Sequence, residues 1–146
     1  MKKQKQLLSL VTLIAVLIVS DTSFCQEKPG TGIHFFEGTF KEAMAKAKEE
    51  NKCIFLDAYA SWCGPCKTME KDVYTLPEIG AYFNKKFISI KIDMEKGEGP
   101  KLAKIFTSID GYPSLLFFTP DGHLSKTILG SRHADDFLKE AMLVGK

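Results

Sequence analysis

The stretch Cys53-Ile54-Phe55-Leu56-Asp57-Ala58-Tyr59-Ala60-Ser61-Trp62-Cys63-Gly64-Pro65-Cys66-Lys67 decides how this chain is read. Its first half, Cys53 to Tyr59, is an apolar run broken only by Asp57. Runs of this kind form strands buried on both faces, at the centre of a sheet. Directly after the strand come two cysteines two residues apart. Pro65 between them suits the first turn of a helix, where a missing N–H costs nothing. A helix is therefore predicted to begin around Cys63, at the C-terminal end of a central strand.

That placement has chemical consequences. The unpaired N–H groups and the dipole at a helix N-terminus favour negative charge. A cysteine there is more acidic than usual, with values of ~3.5–7.5 in motifs of this type. The thiolate is the species that attacks a disulfide. Cys66, one turn further in, faces the same side and can resolve the mixed disulfide that results. Two other readings of the pair are a zinc site and a structural disulfide. Zinc needs a second ligand pair, but Cys25 and Cys53 lie 28 residues apart, and His34 and His123 have no metal-ligand spacing. A bridge closing so short a loop stabilises little, which argues against a purely structural disulfide. No metal and no cofactor beyond a redox-active Cys63–Cys66 disulfide is expected.

Working outward, Ile33 to Phe36 reads as a short first strand. Thr39-x-x-Glu42 is a capping box. Phe40, Ala43, Met44 and Ala47 then recur at helical spacing, predicting a helix over Phe40 to Glu50. Beyond the motif, the helix continues through Met69 and Val73. It is broken or kinked at Pro77 and resumes through Ile79, Tyr82 and Phe83. Phe87 to Ile92 is a strand in which Phe87, Ser89 and Lys91 alternate with Ile88, Ile90 and Ile92. Asp93 to Pro100 is charged and Gly-rich, a surface loop, followed by a short helix around Leu102 to Phe106. Ser114 to Thr119 and Leu124 to Leu129 form a hairpin about Pro120-Asp121-Gly122. Phe137, Leu138, Ala141 and Met142 mark a last helix. The order β-α-β-α-β-α-β-β-α implies an α/β fold, a central mixed β-sheet flanked by helices.

The first 25 residues stand apart. Lys2, Lys3 and Lys5 precede Leu7 to Val19, 13 residues interrupted only by Ser9 and Thr12, and then Ser20 to Ser23. This is the layout of a secretory signal peptide, its apolar run short of the ~18 residues of a membrane-spanning helix. A cut after Cys25 would leave Gln26 first. The rival readings are an uncleaved membrane anchor and a lipoprotein lipidated at Cys25, against which bulky Phe24 argues. Residues 26–32 read as a linker and 33–146 as one domain. Without the leader, the formal net charge falls from +2 to zero. A neutral domain has no electrostatic reason to bind nucleic acid or an acidic membrane.

With these residues in view, the chain resembles the thioredoxin family. Trp62-Cys63-Gly64-Pro65-Cys66-Lys67 is similar to that family's active-site run, and Asp57 falls where the family carries a buried acid. Gly111-Tyr112-Pro113-Ser114 resembles the loop whose cis-proline faces the dithiol, and Gly122, Leu124 and Gly130 fit the closing hairpin. The likeness runs from about residue 33 to the end. Lys67 to Tyr82 and the Gly-Tyr-Pro loop look most like exported members, in particular the C-terminal domain of the transmembrane thiol–disulfide interchange protein. Two departures stand out. Gly64-Pro65 is typical of cytosolic thioredoxins, and Ser89 aligns where those carry a lysine near the buried acid.

The resemblance implies a thioredoxin fold and an exported, periplasmic thiol–disulfide oxidoreductase, a monomer that reduces the disulfides of exported proteins. Cys63 attacks and Cys66 resolves. A membrane thiol protein would supply the electrons. The alternatives are an oxidase or isomerase, or a binding module whose dithiol is idle or holds a metal. Asp57 is expected to accept the Cys66 proton, its pKa raised by burial; the plainer reading is a structural acid. Trp62, Tyr112, Pro113 and Gly130 are expected to border the substrate, with Gly64 and Pro65 tuning the pair. A cis Pro113 would free the backbone of Tyr112 to pair with an extended peptide. Cys53 is expected to be a buried, inert thiol, and His34, His123 and His133 ordinary surface residues.

Overall fold

Strand β1, Cys53–Tyr59, is flanked on both sides, as its apolar run requires: Ile54 to Ala58 are all buried. The computed structural model describes residues 32–144, so the predicted signal peptide and all but the last residue of the linker lie outside the described residues. The sheet has four strands in the order β2-β1-β3-β4. Here β2 is Phe87–Asp93, β3 Ser114–Phe118 and β4 Leu124–Leu129. β1 pairs with β2 in parallel and with β3 antiparallel, and β3 pairs with β4 antiparallel, so the sheet is mixed as expected.

Side chains alternate across the sheet and build two cores. Ile54, Leu56 and Ala58, with Ile88, Ile90, Ile92, Leu116 and Phe118, pack on one face against Phe40, Ala43 and Ala47 of helix α1 (Phe40–Glu50). Phe55, Phe87, Leu115 and Phe117 face the other way. They meet Met69 of α2 (Gly64–Asp72), Ile79 and Phe83 of α3 (Pro77–Lys86), and Phe137 and Ala141 of α5 (Ala134–Met142). Phe55 sits in the middle of a ring cluster, with Phe83, Phe117 and Phe137 at centroid distances of 5.0, 5.2 and 5.4 Å.

Helix α1 has the bounds the capping box predicts: the Thr39 side chain accepts the Glu42 N–H, and the Glu42 carboxylate accepts the Thr39 N–H. Pro77 breaks the second helix rather than kinking it, standing at the start of α3.

Two expectations are corrected. Ile33 to Phe36 is not a strand; it touches β2 at a single bridge, Phe35 to Ser89. Its neighbouring N–H groups go elsewhere, Ile33 to the Tyr74 carbonyl at 2.7 Å and His34 to the Asn84 side chain at 2.8 Å. The loop after β2 is also shorter than predicted, because helix α4 already begins at Gly99 and runs to Ile105. Only glycine fits there, since a Cβ on Gly99 would lie 2.0 Å from the Asp93 carbonyl oxygen.

Candidate active site

The strand-to-helix turn after β1 carries both cysteines. Cys63 is the N-cap of α2, in extended conformation, and its Sγ accepts the Cys66 N–H at 3.1 Å. A cap atom in that position gains from carrying negative charge, because it faces the free N–H groups of the first turn. No acidic residue stands in that turn to oppose it. The two sulfurs are joined in a disulfide. Cys63 and Cys66 are 3% and 5% exposed, so burial does not tell the two apart. They pack with Ala60, against Tyr59 and Tyr112. Gly64 and Pro65 are exposed beside them.

The second wall comes from the segment before β3. Ala58 is paired with Ser114, so the chain entering β3 runs beside the chain leaving β1. The Tyr112–Pro113 peptide bond is cis. The Pro113 carbonyl accepts the Gly130 N–H at 2.8 Å, joining the turn after β4 to this loop. Gly130 has φ +84°, a conformation that side chains disfavour. Arg132, which the sequence reading passed over, holds the same turn. Its Nη1 donates to the carbonyls of Leu129 and Ser131 at 3.1 and 2.9 Å. Trp62 is 66% exposed and meets Tyr112 edge-on, with ring centroids 6.0 Å apart. Of the four residues expected to border the substrate, Tyr112 packs against the cysteines, Trp62 meets Tyr112, and Gly130 is tied to Pro113, the next residue after Tyr112.

Asp57 lies beneath it. The carboxyl is 1% exposed, and its Oδ1 has no hydrogen-bond partner. Burial pushes its pKa up to about 7; Lys91 and the Tyr74 hydroxyl pull it down, and Glu70 adds a further upward push. The Tyr74 hydroxyl is near but closes no hydrogen bond of ordinary geometry. A cleft of about 200 Å³ opens over Asp57, Cys66, Lys67, Glu70 and Lys91. Acid and inner cysteine therefore share one opening.

Lys91 supplies a cation near the buried acid, where Ser89 brings none. In the parallel register Ser89 stands opposite Phe55, whereas Lys91 stands opposite Asp57. Lys91 is paired with Glu70 at 2.7 Å and lies 5.1 Å from the centre of the Tyr59 ring. The alternation of β2 carried the signal, since Ser89 and Lys91 share a face. Glu70, on the cysteine helix, was legible only as an exposed helix residue. Cys53, expected to be buried, is half-buried and free, at the opposite end of β1; burial raises its thiol pKa. His34, His123 and His133 lie on the surface.

Comparison with known proteins gives a consistent result. A family model described as thioredoxin-like matches residues 36–120. The chain is similar to the thiol:disulfide interchange protein DsbD of Pseudomonas fluorescens, 31% identical over 100 residues, which cover 66% of this chain and 17% of that protein. It spans less than a fifth of the length of the first curated relatives it matches. Among solved structures, it resembles a candidate disulphide-isomerase from Bacteroides thetaiotaomicron at 39% identity and TM-score 0.69, covering 80% of this chain and 95% of that one. It also resembles the oxidised C-terminal domain of DsbD from Neisseria meningitidis at 28% identity and TM-score 0.60, covering 75% and 97%.

Proposed function

The chain belongs to the thioredoxin-like family, and on that premise we propose that it is an exported protein-disulfide reductase. The observation that carries the reading is the Cys63–Cys66 pair at the start of α2, flanked by the Tyr112–Pro113 loop. In the reduced enzyme the Cys63 thiolate attacks one sulfur of a substrate disulfide. A mixed disulfide forms, and the other substrate sulfur leaves as a thiolate. Cys66 then gives its proton to Asp57 and attacks the Cys63 Sγ, releasing the second substrate thiolate. Two electrons have passed to the substrate, and the enzyme is left as the Cys63–Cys66 disulfide. No other cofactor takes part.

The backbone of Tyr112 supports substrate pairing, because its N–H and C=O enter no backbone hydrogen bond among the described residues. In this reading Trp62, Pro113 and Gly130 border the same substrate. Export rests on the leader-like residues 1–25 and on the likeness to DsbD. The mature chain then starts at Gln26, with residues 26–32 as a linker, and acts as a periplasmic monomer, re-reduced by a membrane thiol protein. Among the described residues no helix is long and apolar enough to cross a membrane. The name of the Bacteroides relative favours isomerisation as the second reading.

Two measurements test the proposal. The protein should accelerate the reduction of insulin by dithiothreitol, and Cys63→Ser should abolish this. Cys66→Ala should trap substrates as mixed disulfides on Cys63, whereas Cys63→Ala should trap almost none. Equal trapping by the two variants would reverse or dissolve the roles given to the cysteines. Repair of scrambled ribonuclease without net reduction would instead favour the isomerase.

A further inference from the structure

β2 ends at Asp93, which stands in register with Tyr59 at the end of β1. The chain leaving β2 therefore runs along the turn that leads into the dithiol. Consecutive residues grip it. The Met94 N–H donates to the Tyr59 carbonyl at 2.8 Å. The Lys96 ammonium donates to the Ser61 Oγ at 3.2 Å. Between them, Glu95 accepts the indole Nε1–H of Trp62 at 2.9 Å. The loop is itself braced: the Glu95 N–H donates to Asp93 Oδ1 at 3.0 Å, and Lys96 lies 3.4 Å from Asp93 Oδ2.

Trp62 needs such a hold. It is two-thirds exposed, and among the described residues its ring meets one other aromatic ring, Tyr112, edge-on. Burial does not fix its orientation, so a directional bond from a braced loop does. From this we infer that Glu95 is a positioning residue: its carboxylate locks the Trp62 indole against Tyr112 and so sets one wall of the substrate groove before a substrate arrives. The inference rests on the oxidoreductase reading and deepens it. Immobilising a free side chain opposes association. With Glu95 present that ordering is already done, so its loss falls on substrate binding and leaves the exchange step at Cys63 alone.

Trp62 is the sole tryptophan of the chain, which gives a direct readout. Glu95→Ala should lower the steady-state fluorescence anisotropy of Trp62 and raise KM for a protein disulfide about two- to tenfold, with kcat held. Glu95→Gln, which keeps a side-chain carbonyl for the indole N–H, should restore both. In a Trp62→Ala background, Glu95→Ala should raise KM no further. Unchanged anisotropy in Glu95→Ala would overturn the inference, as would a Glu95→Gln variant as impaired as Glu95→Ala, since charge and not the bond would then matter. A wild-type protein inactive on all disulfides would sink the reductase reading, while the anisotropy would still decide the role of Glu95.

Discussion

At the scale of single residues, Asp57 concentrates the chemistry and yields a prediction whose sign can be worked out. Its carboxyl has an ordinary pKa of 3.8 and is held at about 7 in the fold. Below pH 3.8 both folded and unfolded chains carry the proton, and ionisation of the acid takes nothing from stability. As pH rises, the unfolded chain ionises first, so the folded state loses stability until the carboxyl itself ionises near 7. At 1.36 kcal/mol per unit the loss has a ceiling of about 4 kcal/mol. Asp57→Asn should therefore flatten the stability profile: the variant should gain on the wild type between pH 4 and pH 8 in urea unfolding. The same variant should resolve mixed disulfides more slowly at pH 7, on the order of 100-fold, with the deficit shrinking as Cys66 ionises unaided at higher pH. A pH-independent difference in stability, or wild-type rates throughout, would leave Asp57 without a role as proton acceptor. The motif, Asp57 and Pro113 were legible because they sit at fixed distances along the chain. Lys91, Glu70 and Glu95 were not, because they reach the site only through strand register and through the packing of one turn on another.

At the scale of elements, the reading succeeded where a local signal sufficed. Thr39 and Glu42 cap α1 with their own side chains, and Pro77 starts α3 with its own ring. It fell short where the signal is long-range. The carboxylate of Glu98, at the start of α4, accepts the Phe40 N–H at 2.7 Å, 58 residues away, and no local pattern announces that use. The segment 33–36 looks like a strand by composition, but its partners are an isolated bridge to β2, the Tyr74 carbonyl and one side chain. Asn84 Oδ1 accepts the His34 N–H, and Asn84 Nδ2 donates to the Gly32 carbonyl at 3.2 Å, so an amide stands in for a neighbouring strand. Asn84→Ala should thus detach this segment. Two hydrogen bonds at about 1 kcal/mol each suggest a loss of about 2 kcal/mol in urea unfolding. The amide of His34 should exchange faster while those of β1 keep their protection. Equal loosening of β1 would mean that Asn84 supports the whole sheet rather than this one segment.

At the scale of the whole molecule, the reduction potential compares how the fold treats a disulfide with how it treats a thiolate. Among the described residues, the fold offers the thiolate of Cys63 chiefly the N-terminus of α2. Gly64 and Pro65 bring no charge, and Lys67 is exposed to solvent. The sulfurs lie against Ala60, Tyr59 and Tyr112, apolar surroundings that suit a neutral disulfide. On the cleft side stands Asp57, which when ionised opposes a second negative charge on Cys66. Strong oxidants of this chemistry owe their potential to a heavily stabilised reduced form, and among the described residues no charged group packs against the Cys63 sulfur. The reductase reading therefore predicts a potential nearer to about −270 mV than to about −120 mV, the values for thioredoxin and for the periplasmic oxidant. The gap of about 150 mV corresponds to about 7 kcal/mol, wide enough for one titration to decide. Equilibration against glutathione and dithiothreitol buffers, followed through the fluorescence of Trp62 beside Cys63, gives the value. By the same thermodynamic cycle, a low potential means that the oxidised protein resists urea better than the reduced one. A potential near the upper value, with the reduced form the more stable, would mean that the fold holds its thiolate far more strongly than its helix end alone accounts for, and would turn the protein from a donor of electrons into an acceptor.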